Sequence, residues 1–195
     1  MFEEMNTWES ISEKDKKAYI TDMAVMAGML EAMDYHIGRY IAYLKEIGEA
    51  ENTVFIITSD NGPDGGNYKN LYGWAKRNGF HREFDKNGGK RYYGTIGPEF
   101  ASTIAAPFSY FKYYTGEGGL RVPLIISGLN KSNNQIDNSF CFITDIAPTI
   151  YDIVGLSTSE NEGYHPISGK SILPHIKNNS VPIYSSNEGV GLEAA

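Results

Sequence analysis

Cysteine is almost absent from these 195 residues, with Cys141 the only one. That excludes an intrachain disulfide and any cysteine-rich zinc site. Cys141 lies in Phe140-Cys141-Phe142-Ile143, where a small buried hydrophobe is expected rather than a nucleophile. Long apolar runs are missing too; none approaches the roughly 20 residues of a membrane span. Positive charge is scarce, with 17 Lys and Arg against 24 Asp and Glu and a net charge of −7. This balance speaks against a nucleic-acid or anionic-membrane partner. The first ten residues are acidic and aromatic, unlike the cationic start of a signal peptide, and they assign no compartment. What remains is an ordinary globular composition, 41% hydrophobic and 21% charged, long enough for one domain with a core.

The chain is organised around Thr53-Val54-Phe55-Ile56-Ile57-Thr58-Ser59-Asp60-Asn61-Gly62. Its unbroken apolar run reads as a covered strand of a parallel sheet. Asp60 and Asn61 then fall at the strand's carboxyl edge, where open α/β sheets collect ligands. A carboxylate and an amide carbonyl are hard donors, suited to Ca²⁺ or Mg²⁺ rather than zinc. The plain rival is a tight turn, since Asn-Gly tolerates positive φ.

Upstream, Ser12-Glu13-Lys14-Asp15 has the form of a capping box and starts a helix at Ser12. Ile20, Met23, Ala27, Leu30, Asp34, Ile37, Ile41 and Leu44 form one stripe of that helix, and Gly48 is its stop. Asp34 on the stripe calls for a buried partner; His36 lies off it, and Met23, Met26, Met29 and Met33 read as core filler.

Downstream, 63–107 sustains neither helix nor strand period and reads as a long loop. Its aromatics either pack it onto the domain or line a substrate mouth, and His81 is a bystander within it. Leu124-Ile125-Ile126 is a second strand, with Val122 extended before Pro123. Lys112 sits among aromatics, where it either presents a fixed charge to an anion or lays its stem on Tyr110 or Phe111. Residues 140–154 read as a helix capped by Thr144 or Asp145 and ended by Gly155. Val181 to Ser185 is a candidate strand. Gly169-Lys170-Ser171 lacks the spacing of a phosphate loop.

In order, Met33-Asp34-Tyr35-His36-Ile37-Gly38-Arg39, Thr58-Ser59-Asp60-Asn61-Gly62, Gly97-Pro98-Glu99-Phe100-Ala101, Pro107-Phe108-Ser109-Tyr110-Phe111-Lys112, Glu117-Gly118-Gly119-Leu120-Arg121-Val122-Pro123, Thr144-Asp145-Ile146-Ala147-Pro148-Thr149 and Gly169-Lys170-Ser171-Ile172-Leu173-Pro174 form a set that resembles the sulfatases of the alkaline-phosphatase superfamily, bacterial arylsulfatases in particular. The likeness runs from about Ser12 to Gly189. It implies an α/β fold, part of a three-layer sandwich with a mostly parallel central sheet, in which 1–195 is a partial catalytic domain and 63–107 an active-site-side loop. It implies hydrolysis of a sulfate ester, on a small molecule or a sulfated glycan, with Ca²⁺ bound by Asp60 and Asn61 and the sulfate contacted by Lys112. The family's nucleophile is a formylglycine made from a cysteine in Cys-x-Pro/Ser-x-Arg. Cys141 has no such context, so the nucleophile and the early aspartate pair are expected upstream, a small C-terminal sheet is expected downstream, and the chain alone is expected to be inactive. A phosphodiesterase or phosphonate hydrolase of the same superfamily, or a non-catalytic binding module, are the alternatives.

Overall fold

Helix α1 (Glu13–Glu46) starts where Ser12 caps it: the Asp15 N–H donates to Ser12 Oγ at 3.2 Å, and Ser12 Oγ–H donates to Asp15 Oδ2 at 2.7 Å. The helix stops before Gly48, and a 3-10 turn at Ala50–Asn52 leads into β1 (Phe55–Thr58). These elements belong to a computed structural model that describes residues 6–66, 68–83, 86–129, 136–157, 166–178 and 183–184, in two units, Met1–Gly128 and Leu129–Ala195.

In the first unit β1 pairs with β2 (Leu124–Ser127) in antiparallel register, Phe55 opposite Ser127 and Thr58 opposite Leu124. The expected parallel partner for β1 is not what the described residues contain. Nor is either strand fully covered: β2 alternates, with Ile125 exposed. Between the strands, the span read as one long loop carries α2 (Tyr68–Arg77), α3 (Gly97–Ala105) and, beyond 107, the short α4 (Glu117–Leu120). Pro98 at the first turn of α3 fits, because its missing N–H has no helical partner there.

The core is small. Ile96, Ala101 and Phe111 are buried together, with Met23, Met26, Phe100 and Tyr114 against them. Met23 and Met26 are thus packing residues, but Met29 and Met33 are 62% and 51% exposed. A helix of 34 residues runs about 50 Å at 1.5 Å per residue, whereas four-residue strands reach only about 13 Å. The sheet cannot cover it. Residues 27–36 are exposed on every side, so Asp34 is a surface carboxylate and needs no buried partner. The buried one is Asp22, 3% exposed, whose carboxylate takes a hydrogen bond from Arg82 Nη2 at 3.0 Å and one from Asn87 Nδ2 at 2.6 Å. Gly94 backs onto it so closely that a Cβ would stand 2.4 Å from Asp22 Oδ1.

In the second unit a 3-10 turn (Ile143–Asp145) runs into α5 (Ile146–Ile153), followed by α6 (Leu173–Lys177). Phe140 and Phe142 precede the turn in extended chain and stack edgewise with each other and Tyr184, so helix does not begin at 140. Asp145 stands at the N-cap position of α5, but neither its side chain nor that of Thr144 caps the helix; Asp145 instead reaches back to the start of the 3-10 turn. Fully buried, it accepts from the Phe142 and Lys170 N–H groups at 2.7 and 2.8 Å and from the Tyr184 hydroxyl at 2.6 Å. Gly169-Lys170-Ser171 is therefore a brace, its Ser171 hydroxyl donating to Asp152 at 2.6 Å. The candidate strand at Val181 to Ser185 falls largely outside the described residues; Ile183 and Tyr184 form a bend. Among the described residues no helix is long and apolar enough to cross a membrane.

Candidate functional site

Asp60 and Asn61 leave β1 at its carboxyl end, and Lys112 lies half a hundred residues later, yet the backbone stitches the two segments together. Gly62 N–H donates to Gly119 O at 2.8 Å, Lys112 N–H to Pro63 O at 2.9 Å, and Gly118 N–H to Ser109 O at 2.8 Å. At the strand end the Thr58 hydroxyl donates to Pro123 O at 2.9 Å. Gly62 cannot carry a side chain here, since a Cβ would stand 1.9 Å from the Gly118 carbonyl oxygen. The Asn-Gly pair is thus a close crossing of two chains, beyond what a tight turn alone requires.

The aromatics around Lys112 explain its pose. Phe111 is buried in the core and Tyr110 stacks on Tyr114 at 5.4 Å. Tyr110 and Tyr113 hold positive φ, 69° and 76°, a conformation that non-glycine residues keep only where the surroundings enforce it. Lys112 is pushed outward, its Nζ 3.4 Å from Asp64 Oδ2 and 5.2 Å from the Tyr113 ring centre. The hydrogen bond and charge of Asp64, with smaller contributions from Tyr113 and Asp60, raise the ammonium's pKa. Asp64 is a site residue that motif reading passed over. Its signal was a second acidic side chain in the same Asp-Asn-Gly-Pro-Asp-Gly-Gly turn, where its Oδ1 also accepts the Gly66 N–H at 2.7 Å.

Asp60 is exposed and makes no hydrogen bond or ion pair among the described residues. Asn61 spends its amide N–H on Gly62 O at 2.9 Å, which leaves the amide oxygen as its donor atom. Two hard oxygens beside one ammonium suit a calcium ion in chemistry, but they are few for its six to eight ligands. No cluster of three or more His, Cys, Asp or Glu side chains able to hold a metal occurs among the described residues. A shallow groove lined by Asn6, Trp8, Glu99 and Phe100 lies elsewhere. Its one carboxylate is already taken by the Asn6 amide and the Tyr19 hydroxyl, and nothing reactive converges on it. His81 pairs by its backbone with Arg91 and Tyr93. Cys141 is half-buried, and burial raises its thiol pKa, the wrong direction for a nucleophile.

The family profile described as Sulfatase matches residues 3–156. An arylsulfatase of Klebsiella aerogenes is 29% identical over 174 residues, 87% of this chain and 36% of the enzyme. An uncharacterized sulfatase of Schizosaccharomyces pombe is 33% identical over 75% of this chain and 27% of its own length. A multifunctional alkaline phosphatase superfamily protein of Trinickia caryophylli is 27% identical over 78% of the chain and 22% of its own. The chain spans about a third of the arylsulfatase's length or less of the others. On these matches the chain belongs to the sulfatase family.

Proposed function

We propose that the protein carrying this chain hydrolyses a sulfate ester, with Asp60 and Asn61 supplying oxygens to a calcium ion and Lys112 holding the sulfate. Support comes from one observation above all: the crossing at Gly62 brings the Asp60-Asn61 turn and the Lys112 ammonium to one edge of the β1–β2 pair. Bound calcium would supply electrostatic stabilisation of charge on the sulfate oxygens and the nucleophile. Lys112 adds a fixed positive charge, and its ion pair with Asp64 restrains its swing. The fold proposed for the whole is a three-layer sandwich with a mostly parallel sheet, to which β1, β2 and α1 contribute. The formylglycine nucleophile is assigned outside these residues, because Cys141 is followed by Phe142 and Ile143 rather than by the modification motif.

In the complete protein, Lys112→Ala lowers kcat/KM for an aryl sulfate by about a hundredfold, as for loss of one preorganised charge donor. Asp60→Ala removes the calcium-dependent rise in melting temperature. The 195-residue chain alone gives no turnover, and robust turnover by it would overturn that assignment. The likeness to an alkaline phosphatase superfamily protein favours one second reading, a phosphodiesterase or phosphonate hydrolase. Faster cleavage of phosphate than sulfate esters by the complete protein selects it.

A further inference from the structure

The net charge of the chain conceals a local reversal. Residues 72–93 hold six Lys and Arg against two acids, a net of +4 in a chain of −7. Lys76 and Arg77 end α2, and Lys90 and Arg91 lie in the segment that folds back on it: His81 N–H donates to Arg91 O at 2.8 Å and Tyr93 N–H to His81 O at 3.0 Å. All four cations are exposed and enter no ion pair among the described residues. Arg91 sits at φ 68°, and its Nη1 is 4.0 Å from where a Cβ on Gly79 would stand, over the end of α2. Beside them Trp74, 45% exposed, stacks on Phe80 at 5.6 Å and meets Tyr93 edgewise at 5.7 Å.

A pair of basic residues in a helix's last turn is ordinary compensation of its dipole. That accounts for Lys76 and Arg77, but not for Lys90 and Arg91, which arrive from another segment. Nor does it account for a tryptophan face left open on a backing of two rings. Two guanidiniums that can fork onto oxyanions, next to a flat apolar face, match a sugar ring carrying sulfate groups. A nucleic acid would call for a run of exposed rings along the strand.

We propose that the end of α2 and the 90–93 segment form an accessory binding surface for a sulfated oligosaccharide, Trp74 lying against a sugar ring and Arg77, Lys90 and Arg91 engaging sulfates. The proposal rests on the sulfate-ester reading and narrows it from small aryl esters towards sulfated glycans.

The test is direct binding of the full chain, without turnover, to a heparin-derived octasaccharide at about 50 mM salt. Its completely desulfated counterpart and a single-stranded DNA of equal charge are the comparisons. Arg77→Ser/Arg91→Ser weakens binding about tenfold, the size expected for two exposed ion contacts. Trp74→Ala weakens it about fivefold. Lys14→Ser/Lys17→Ser, which removes the same charge from an exposed face of α1, leaves it unchanged. No binding, equal loss from both double variants, or DNA bound as tightly as the octasaccharide overturns the proposal. Absent glycan binding with aryl-sulfate hydrolysis by the complete protein intact overturns the surface alone. Binding as stated, with phosphate esters the faster substrates, overturns the sulfate-ester reading alone.

Discussion

The first third of α1 and its middle differ more than their sequences do. Both carry methionines and an aspartate at stripe-like spacing. From Ala18 to Met26 the helix is packed: Ala18 and Asp22 are buried, and Met23 and Met26 touch the Ile96–Ala101–Phe111 core. From 27 to 36 every residue is exposed, and Met29, Leu30 and Met33 face outward. Periodicity reports which face a helix offers for burial. Whether anything lies on that face is decided by other segments, and here the core around Ile96, Ala101 and Phe111 and the Asp22 partners Arg82 and Asn87 meet the helix no further along than Met26.

Asp22→Ala should show the contrast most strongly. It leaves Arg82 beside an empty buried site and costs about 3 kcal/mol or more, while Asp34→Ala stays within about 0.5 kcal/mol; urea denaturation of both variants reads the difference. Equal costs would mean that the middle of α1 is packed after all. Phe111→Ala should cost about 3 kcal/mol through a cavity in the small core, against less than about 0.5 kcal/mol for Met33→Ala. Ser12→Ala, at the packed end, should cost about 1 kcal/mol through loss of the cap.

The smallest effects are in pH. Hydrogen bonds from Ser139 and then His175 lower Asp137 to a pKa of about 2. Its contribution is present above the ordinary carboxylate value of 3.8 and is lost as pH falls towards 2, though exposure of the side chain keeps it to a few tenths of a kcal/mol. Burial raises Asp22, against the opposing pull of Arg82 and then Asn87. It binds a proton more tightly folded than unfolded, so its contribution favours folding as pH falls. Melting curves of Asp137→Asn should therefore lose acid sensitivity, and those of Asp22→Asn should gain it.

The cap at Ser12, the stops at Gly48 and Gly155 and both strands were legible because each depends on residues near in sequence. The direction of strand pairing was not, because an apolar run of Phe and Ile reads alike beside either neighbour. Helices α2 and α3 were hidden by Gly73 and by the glycine-rich links around them. At the candidate site, Asp60, Asn61 and Lys112 were visible through the order of motifs, but Asp64 was not, since only the crossing at Gly62 brings it to Lys112. The basic surface escaped because whole-chain charge averages it away.

The antiparallel pairing of β1 with β2 also bears on how such a chain can diversify. Everything from Ser59 to Pro123 is one excursion that leaves and returns at neighbouring points of a clasp. Its rims, 60–66 and 109–119, are sewn to each other by the backbone bonds around Gly62 and tolerate little change. Of the interval between them, Arg82 and Asn87 hold Asp22 and Ile96 and Ala101 belong to the core, which leaves α2 outside both. Lengthening the chain there is entropically mild, about 0.6 kcal/mol for each doubling of a flexible loop. The clasp can therefore keep its rim while the stretch around α2 is lengthened or replaced.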